Sequence, residues 1–327
     1  MSLAIHQKDL TRFINDLVKN WPVYGPVEDK KAVISRFRFQ KIDSFKDINL
    51  DYSQSVLPPK KYFLPSEESL FEFKKDKIFL SKMKKAVIFG LNRKDGEGIF
   101  YLDKVMTEPV TEEKYAIRRQ NTKVIIVDHL PPSNNLNCDL YLQRADENYY
   151  LVFTYSKFGE NLIKKKYFVH KGDVGTISTR HLPDEIIYHP RLDKIVEDSR
   201  HHPAWDRLAE ICFNCGICSY VCPLCYCFET NDEIDITKDI ETDCQGCRER
   251  QWDSCMLPDF AKVTFHNFRF EVKDRLYNWY YHKFVRMPRE YGFPGCIDCG
   301  RCITYCPAKI NFREVLKELI KDEKSWK

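Results

Sequence analysis

Two stretches hold most of the residues able to do chemistry. Cys212–Pro223 reads CFNCGICSYVCP and Cys296–Pro307 reads CIDCGRCITYCP. Each copy has cysteines at relative positions 1, 4, 7 and 11, then a proline. A cubane of four irons and four sulfides needs four thiolates at its corners, and one C-x-x-C-x-x-C loop supplies three. In two-cluster ferredoxins the cysteine before the proline ligates the other cluster. The pattern therefore predicts two 4Fe–4S clusters with exchanged ligands. Cys212, Cys215, Cys218 and Cys306 surround one; Cys296, Cys299, Cys302 and Cys222 surround the other. Zinc also takes four thiolates, but its sites use two C-x-x-C pairs, without a third cysteine at the same spacing or a following proline. Gly216 and Gly300 follow the second cysteine of each copy, which suits a close approach of backbone to a ligand.

Five more cysteines lie in the same half: Cys225, Cys227, Cys244, Cys247 and Cys255. Cys244 and Cys247 have a ligand spacing. With Cys255, and with Cys225 or Cys227 as the fourth ligand, they are a candidate third site for a 4Fe–4S cluster or zinc. His201, His202 and His266 flank this region and read as packing residues rather than ligands. No residue is singled out as catalytic.

The remaining chain has to position these thiols. It has 327 residues, 43% hydrophobic and 31% charged, which describes a globular protein with room for more than one core. A net charge of +4, from 52 basic and 48 acidic residues, gives no basis for binding nucleic acid. No apolar run approaches the length of a membrane span, and MSLAIHQKDLTRF lacks the features of a signal peptide. The expected compartment is the reducing cytoplasm, where disulfides are rare. Of 14 cysteines only Cys138 precedes residue 200, so residues 1–195 are expected to carry no metal and to serve as a docking domain.

That first part reads as mixed α/β. Leu10, Phe13, Ile14, Leu17, Val18 and Trp21 share one helical face that ends at Pro22. Val33–Ile42, KAVIFGL (85–91) and KVIIV (123–127) read as strands. Tyr149–Tyr155 and Tyr167–His170 read as a strand pair turning through SKFGEN. Residues 196–327 read as an α-helical ferredoxin domain, giving an α+β chain. The 73 residues between Cys222 and Cys296 look largely helical, with Pro258–Phe284 as one or two helices and NFREVLKELIK as the last. Neither G-x-G-x-x-G nor G-x-x-x-x-G-K-[ST] occurs, so nucleotide or flavin binding by this chain is not expected.

The run from Cys212 through WDSCMLPDF, HNFR, DRLYNWYYHKF and CIDCGRCITYCPA resembles the iron–sulfur beta subunit of cytosolic NiFe hydrogenases, or sulfhydrogenases. It is also similar to the corresponding 4Fe–4S dicluster component of anaerobic sulfite reductase. SVLPPKKYFLPSEESLFEF resembles the same family's N-terminal PP-x-x-FF-x-P…LF-x-F stretch. The resemblance implies an electron-transfer subunit working between a flavin- and nicotinamide-bearing partner and a catalytic subunit. One departure stands out. Relatives have cysteines in an FG-x-x-x-CD segment and a later C-x₅-C-x-C segment; here Lys94, Leu130 and Leu136 replace them and only Cys138 remains. Any cluster held there in relatives is expected to be absent. Two other readings stay open: a catalytic third cluster that reduces sulfur, sulfite or a disulfide, and an assembly module with structural zinc.

Overall fold

The computed structural model describes residues 2–33, 37–80, 83–172, 185–238 and 243–323. The chain divides into two compact units, Met1–Phe63 with Met83–Leu182, and Leu64–Lys82 with Pro183–Lys327.

The first unit is built on a mixed sheet. β1 (Ser2–His6) leads into α1 (Gln7–Asn20), capped by the His6 ring, which accepts from Lys8 N at 3.0 Å. β2 (Val23–Glu28) and β3 (Phe37–Ile42) follow as a hairpin; Ile34–Arg36 of the expected strand lie outside the described residues. The chain then leaves for the second unit through β4 (Glu67–Lys74) and β5 (Lys77–Phe79). It returns at β6 (Ala86–Leu91), α2 (Arg93–Thr107), α3 (Glu113–Asn121), β7 (Thr122–Asp128), β8 (Leu140–Arg144), β9 (Tyr149–Thr154), α4 (Lys157–Leu162) and β10 (Phe168–Lys171). The strand order is β10-β1-β9-β8-β7-β6-β2-β3, with β2, β6, β7 and β8 parallel. Both faces of the centre are buried, which is why KAVIFGL and KVIIV read as unbroken apolar runs rather than alternating ones. Phe13 and Leu17 of α1 pack with Val87, Phe89, Ile125 and Leu140. Each such fully buried side chain contributes about 1.5–3 kcal/mol. The expected pairing of the last two strands is corrected: β10 pairs with β1, which lies between it and β9. SKFGEN is mostly α4, with the Ser156 hydroxyl as its cap, so the two strands cannot meet through a tight turn.

In the second unit α5 (Leu192–Asp198), α6 (Ala204–Ile211), α7 (Ile217–Tyr220), α8 (Val272–Tyr281), a π-turn (His282–Arg286), α9 (Met287–Tyr291), α10 (Arg301–Thr304) and α11 (Phe312–Asp322) surround the cysteine loops. Trp205, Leu276, Tyr280, Phe284, Leu316 and Leu319 form their core. The segment between the two cysteine motifs is less helical than expected. β11 (Phe228–Ile234) and β12 (Gln245–Trp252) join β4 and β5 in a four-stranded sheet ordered β11-β12-β4-β5. All of β11 is exposed, so FETNDEI needs no apolar alternation and leaves no strand signal. Charge pairing holds this sheet instead. Arg250 of β12 is buried against Glu68 of β4, Nε to Oε1 3.1 Å, and Arg248 pairs with Asp232 at 2.6 Å. Within 258–284 the helix begins only at Val272; before it, Phe265, Phe268 and Phe270 are exposed.

Candidate metal centres

The two cysteine loops repeat the same backbone. Asn214 and Asp298, third in each copy, have φ of 54° and 52°; Gly216 and Gly300, fifth in each, have φ of 72° and 77°. These left-handed positions curl the loop so that successive amides face inward, a shape suited to anionic sulfur. A four-residue helix follows in each copy, α7 or α10, opened by Ser219 N to Gly216 O at 2.9 Å and by Ile303 N to Gly300 O at 3.0 Å. The fourth cysteine sits one turn further on, and α7 packs against α10.

The thiols gather accordingly. Burial pushes the Cys218 thiol up to about 12, and its neighbours Cys212, Cys215 and Cys306 add to the rise. Cys212 likewise rises through burial and through Cys215 and Cys306. In the other set Cys302 rises through burial and through Cys296, Cys299 and Cys222. Burial takes Cys296 to about 12, opposed by Lys283 and reinforced by Cys299 and Cys222. Buried thiols of this kind stay protonated until a metal supplies positive charge, and a coordinating thiol is deprotonated outright.

The surroundings fit an iron–sulfur group. Amides point at sulfur: Leu224 N to Cys222 Sγ at 3.4 Å, Asp298 N to Cys296 Sγ at 3.3 Å, Ile310 N to Cys306 Sγ at 3.4 Å. A cavity of about 60 Å³ is lined by Cys212, Cys215, Cys218, Cys306 and also Cys302, together with Met256, Leu276, Trp279 and Tyr280. Trp279 Nε1 and Tyr280 Oη are buried without a hydrogen-bond partner among the described residues. Unpaired buried donors are rare in folded proteins, and sulfide or thiolate sulfur in this cavity is an acceptor that would satisfy them.

The second loop differs in its charges. Lys283, in the π-turn, is buried and donates to Cys222 Sγ at 3.2 Å and to Gly295 O at 2.8 Å. Asp298 takes the Arg313 guanidinium at 2.8 Å. In the first loop the equivalent Asn214 is met by Arg275 at 3.4 Å.

The five other cysteines do not converge. Cys225, Cys227 and Cys255 line a second, small cavity of about 10 Å³ with Trp279, His282 and Lys283. Cys225 and Cys227 both line it, as residues two apart on one face of the chain can, while Tyr226 between them reaches His282. Cys247 is elsewhere, on β12 opposite Glu233 of β11 and Glu72 of β4, with Glu249 beside it. Five residues separate Cys247 from Trp252, the end of β12 that adjoins Cys227, or roughly 17 Å of strand at about 3.4 Å per residue. Cys244 precedes β12 and its carbonyl accepts from Lys75 N at 2.7 Å. The Cys244–Cys247 pair and Cys255 thus cannot share one centre in this fold.

His202 is buried; its Nδ1 accepts from Ala204 N at 3.2 Å and its Nε2 lies 3.5 Å from Asp322. His201 and His266 are exposed. Sequence reasoning missed Lys283 and His282. His282 meets Tyr226 Oη at 3.3 Å, and burial, with Lys283 and Arg286 beside it, lowers its pKa to about 4. Lys283 gave no signal in the sequence: it follows α8 in the π-turn, within a charged, aromatic stretch.

Comparison with known proteins agrees with this geometry. Residues 211–310 match the family of 4Fe-4S dicluster domains. The chain is 29% identical to the sulfhydrogenase 2 subunit beta of Pyrococcus furiosus, over 97% of this chain and 98% of that protein. Among the described residues no helix is long and apolar enough to cross a membrane. The chain therefore carries a 4Fe-4S dicluster domain and, along nearly its whole length, resembles a sulfhydrogenase beta subunit.

Proposed function

We propose that this chain is the electron-transfer iron–sulfur subunit of a cytoplasmic oxidoreductase complex of the hydrogenase or sulfhydrogenase kind. It relays electrons between a flavin- and nicotinamide-bearing partner and a catalytic subunit. What supports the reading is the duplicated four-cysteine motif within the 4Fe-4S dicluster match at residues 211–310, where Cys306 neighbours Cys212 and Cys218 and Cys222 neighbours Cys296 and Cys302. When bound, a 4Fe–4S group supplies one-electron chemistry. The protein's own part is to orient four thiols, aim amides at sulfur and keep water away with Met256, Leu276, Trp279 and Tyr280. The unit built on the eight-stranded sheet serves as a docking platform without metal. Anaerobic co-purification of the complex tests this. The expected outcome is about eight irons per chain, none of them in the eight-stranded unit, with clusters reduced when the flavin partner receives its donor. Clusters that no partner reduces or oxidises would overturn the relay.

A second reading is favoured by the cavity that Cys225, Cys227 and Cys255 line. A third centre there would have three thiols and an open corner for sulfur, sulfite or a disulfide, or would be structural zinc. An anaerobic count near twelve irons, or one zinc, would support it; about eight irons and no zinc would reject it.

A further inference from the structure

Lys283 is an isolated positive charge in the interior. It is 5% exposed, its Nζ donates to Cys222 Sγ and Gly295 O, and it lies 5.0 Å from the centre of the Trp279 ring. Among the described residues no carboxylate pairs with it. A buried cation is strongly disfavoured unless negative charge lies beside it. The candidates around Lys283 are the thiols of Cys222, Cys225 and Cys296. Two of these belong to the set assigned to the second cluster.

The backbone is shaped to put it there. The π-turn His282–Arg286 inserts an extra residue between α8 and α9 and turns Lys283 inward; such turns concentrate at functional sites. Gly295 N donates back to Lys283 O at 2.7 Å. A Cβ on Gly295 would come within 2.9 Å of Lys283 Cα, so the residue before Cys296 must be glycine for the lysine to reach this depth.

We propose that Lys283 sets the reduction potential of the cluster held by Cys222, Cys296, Cys299 and Cys302, making it the more readily reduced of the two. The proposal rests on the exchanged ligand assignment above. A cubane with four thiolates is anionic, and reduction adds one more negative charge. A fixed cation within hydrogen-bond distance of a ligating sulfur stabilises the reduced form more than the oxidised one. The low dielectric of the interior magnifies the difference. Hydrogen bonds to sulfur and local charge are among the determinants of cluster potential. Cys218 of the first set also senses Lys283, less directly, so the first cluster feels a weaker effect of the same sign. Lys283 is a positioning charge, not a ligand.

The test is an anaerobic redox titration of the full chain followed by electron paramagnetic resonance, comparing wild type, Lys283→Met, Lys283→Gln and Lys283→Arg at measured iron content. Methionine removes charge and hydrogen bond, glutamine keeps a donor, arginine keeps the charge. Expected is at least a tenfold shift of one cluster's equilibrium toward the oxidised form in both neutral variants, 59 mV for one electron. The other cluster moves less, and arginine restores most of the shift. Unchanged potentials in the methionine and glutamine variants, or equal shifts of both clusters, would overturn the proposal. So would loss of iron in all three variants, which would make Lys283 a folding residue. Cys222→Ser keeps the two readings apart: if it spares the cluster that Cys296→Ser destroys, the ligand assignment fails whatever Lys283 does.

Discussion

The two cysteine loops are alike in backbone and unlike in surroundings. Left-handed residues, glycine positions and the short helix agree copy for copy. The first loop opens on an apolar cavity with two unpaired donors and has an exposed cysteine, Cys215. The second is pressed against a buried lysine, and its Asp298 is gripped by Arg313. The same ligand frame can therefore hold two groups of different potential, because potential is set by charge, burial and hydrogen bonds to sulfur and not by the thiols alone. In a relay such a difference sets where an electron rests on its way between donor and acceptor.

The largest effect should come from breaking the exchange between copies. Cys306→Ser is expected to remove the cluster of Cys212, Cys215 and Cys218, and Cys222→Ser the other. Iron then falls from about eight to about four per chain in each variant, with different surviving spectra. A variant that loses the cluster of its own motif would break the comparison at its root. Next are the glycines. A Cβ on Gly216 would meet Ser254 Cβ at 2.8 Å, whereas nothing lies within 4 Å of one on Gly300. Gly300→Ala then carries only left-handed strain, about 1 kcal/mol, while Gly216→Ala costs about 2–3 kcal/mol in anaerobic denaturant unfolding. Tyr280→Phe removes one unpaired donor that lies among Cys302, Cys218, Cys306 and Cys212, between the two sets. A hydrogen bond of about 1 kcal/mol corresponds to about a fivefold change in the reduced-to-oxidised ratio of the cluster that loses it. The smallest effect is expected at the strand cysteines. Cys244→Ser combined with Cys247→Ser should leave iron content unchanged and stability within about 0.5 kcal/mol; loss of iron would return them to a metal site.

The shape of the two cysteine loops can be read from sequence because spacing along a tight loop is a local property, and the proline and glycine fix it. The central strands can be read because burial on both faces leaves an apolar run. What cannot be read depends on partners far along the chain. β11 and β12 lack alternation since their stability comes from charges matched across strands, as in Arg250 with Glu68, 182 residues apart. The separation of Cys247 from Cys255 follows from that ladder, so the C-x-x-C spacing misleads. Phe265, Phe268 and Phe270 suggest a packed helix, yet they are exposed. Lys283 is hidden by its type, since a lysine in a charged, aromatic stretch looks like a solvated one.

The exchanged fourth cysteine also has a consequence for chain entropy. With ligands crossed, each centre ties the two motifs together and closes the long segment between them. In the loop-closure account, a cross-link around roughly 80 residues stabilises the folded state by about 4.5 kcal/mol through the unfolded ensemble. The second centre adds less, since the loop is already closed. Loss of one centre to oxygen would leave the fold standing, and loss of both would release the whole segment at once. In that arrangement the metal content and the resistance of this segment to proteolysis would decline together, in two unequal steps.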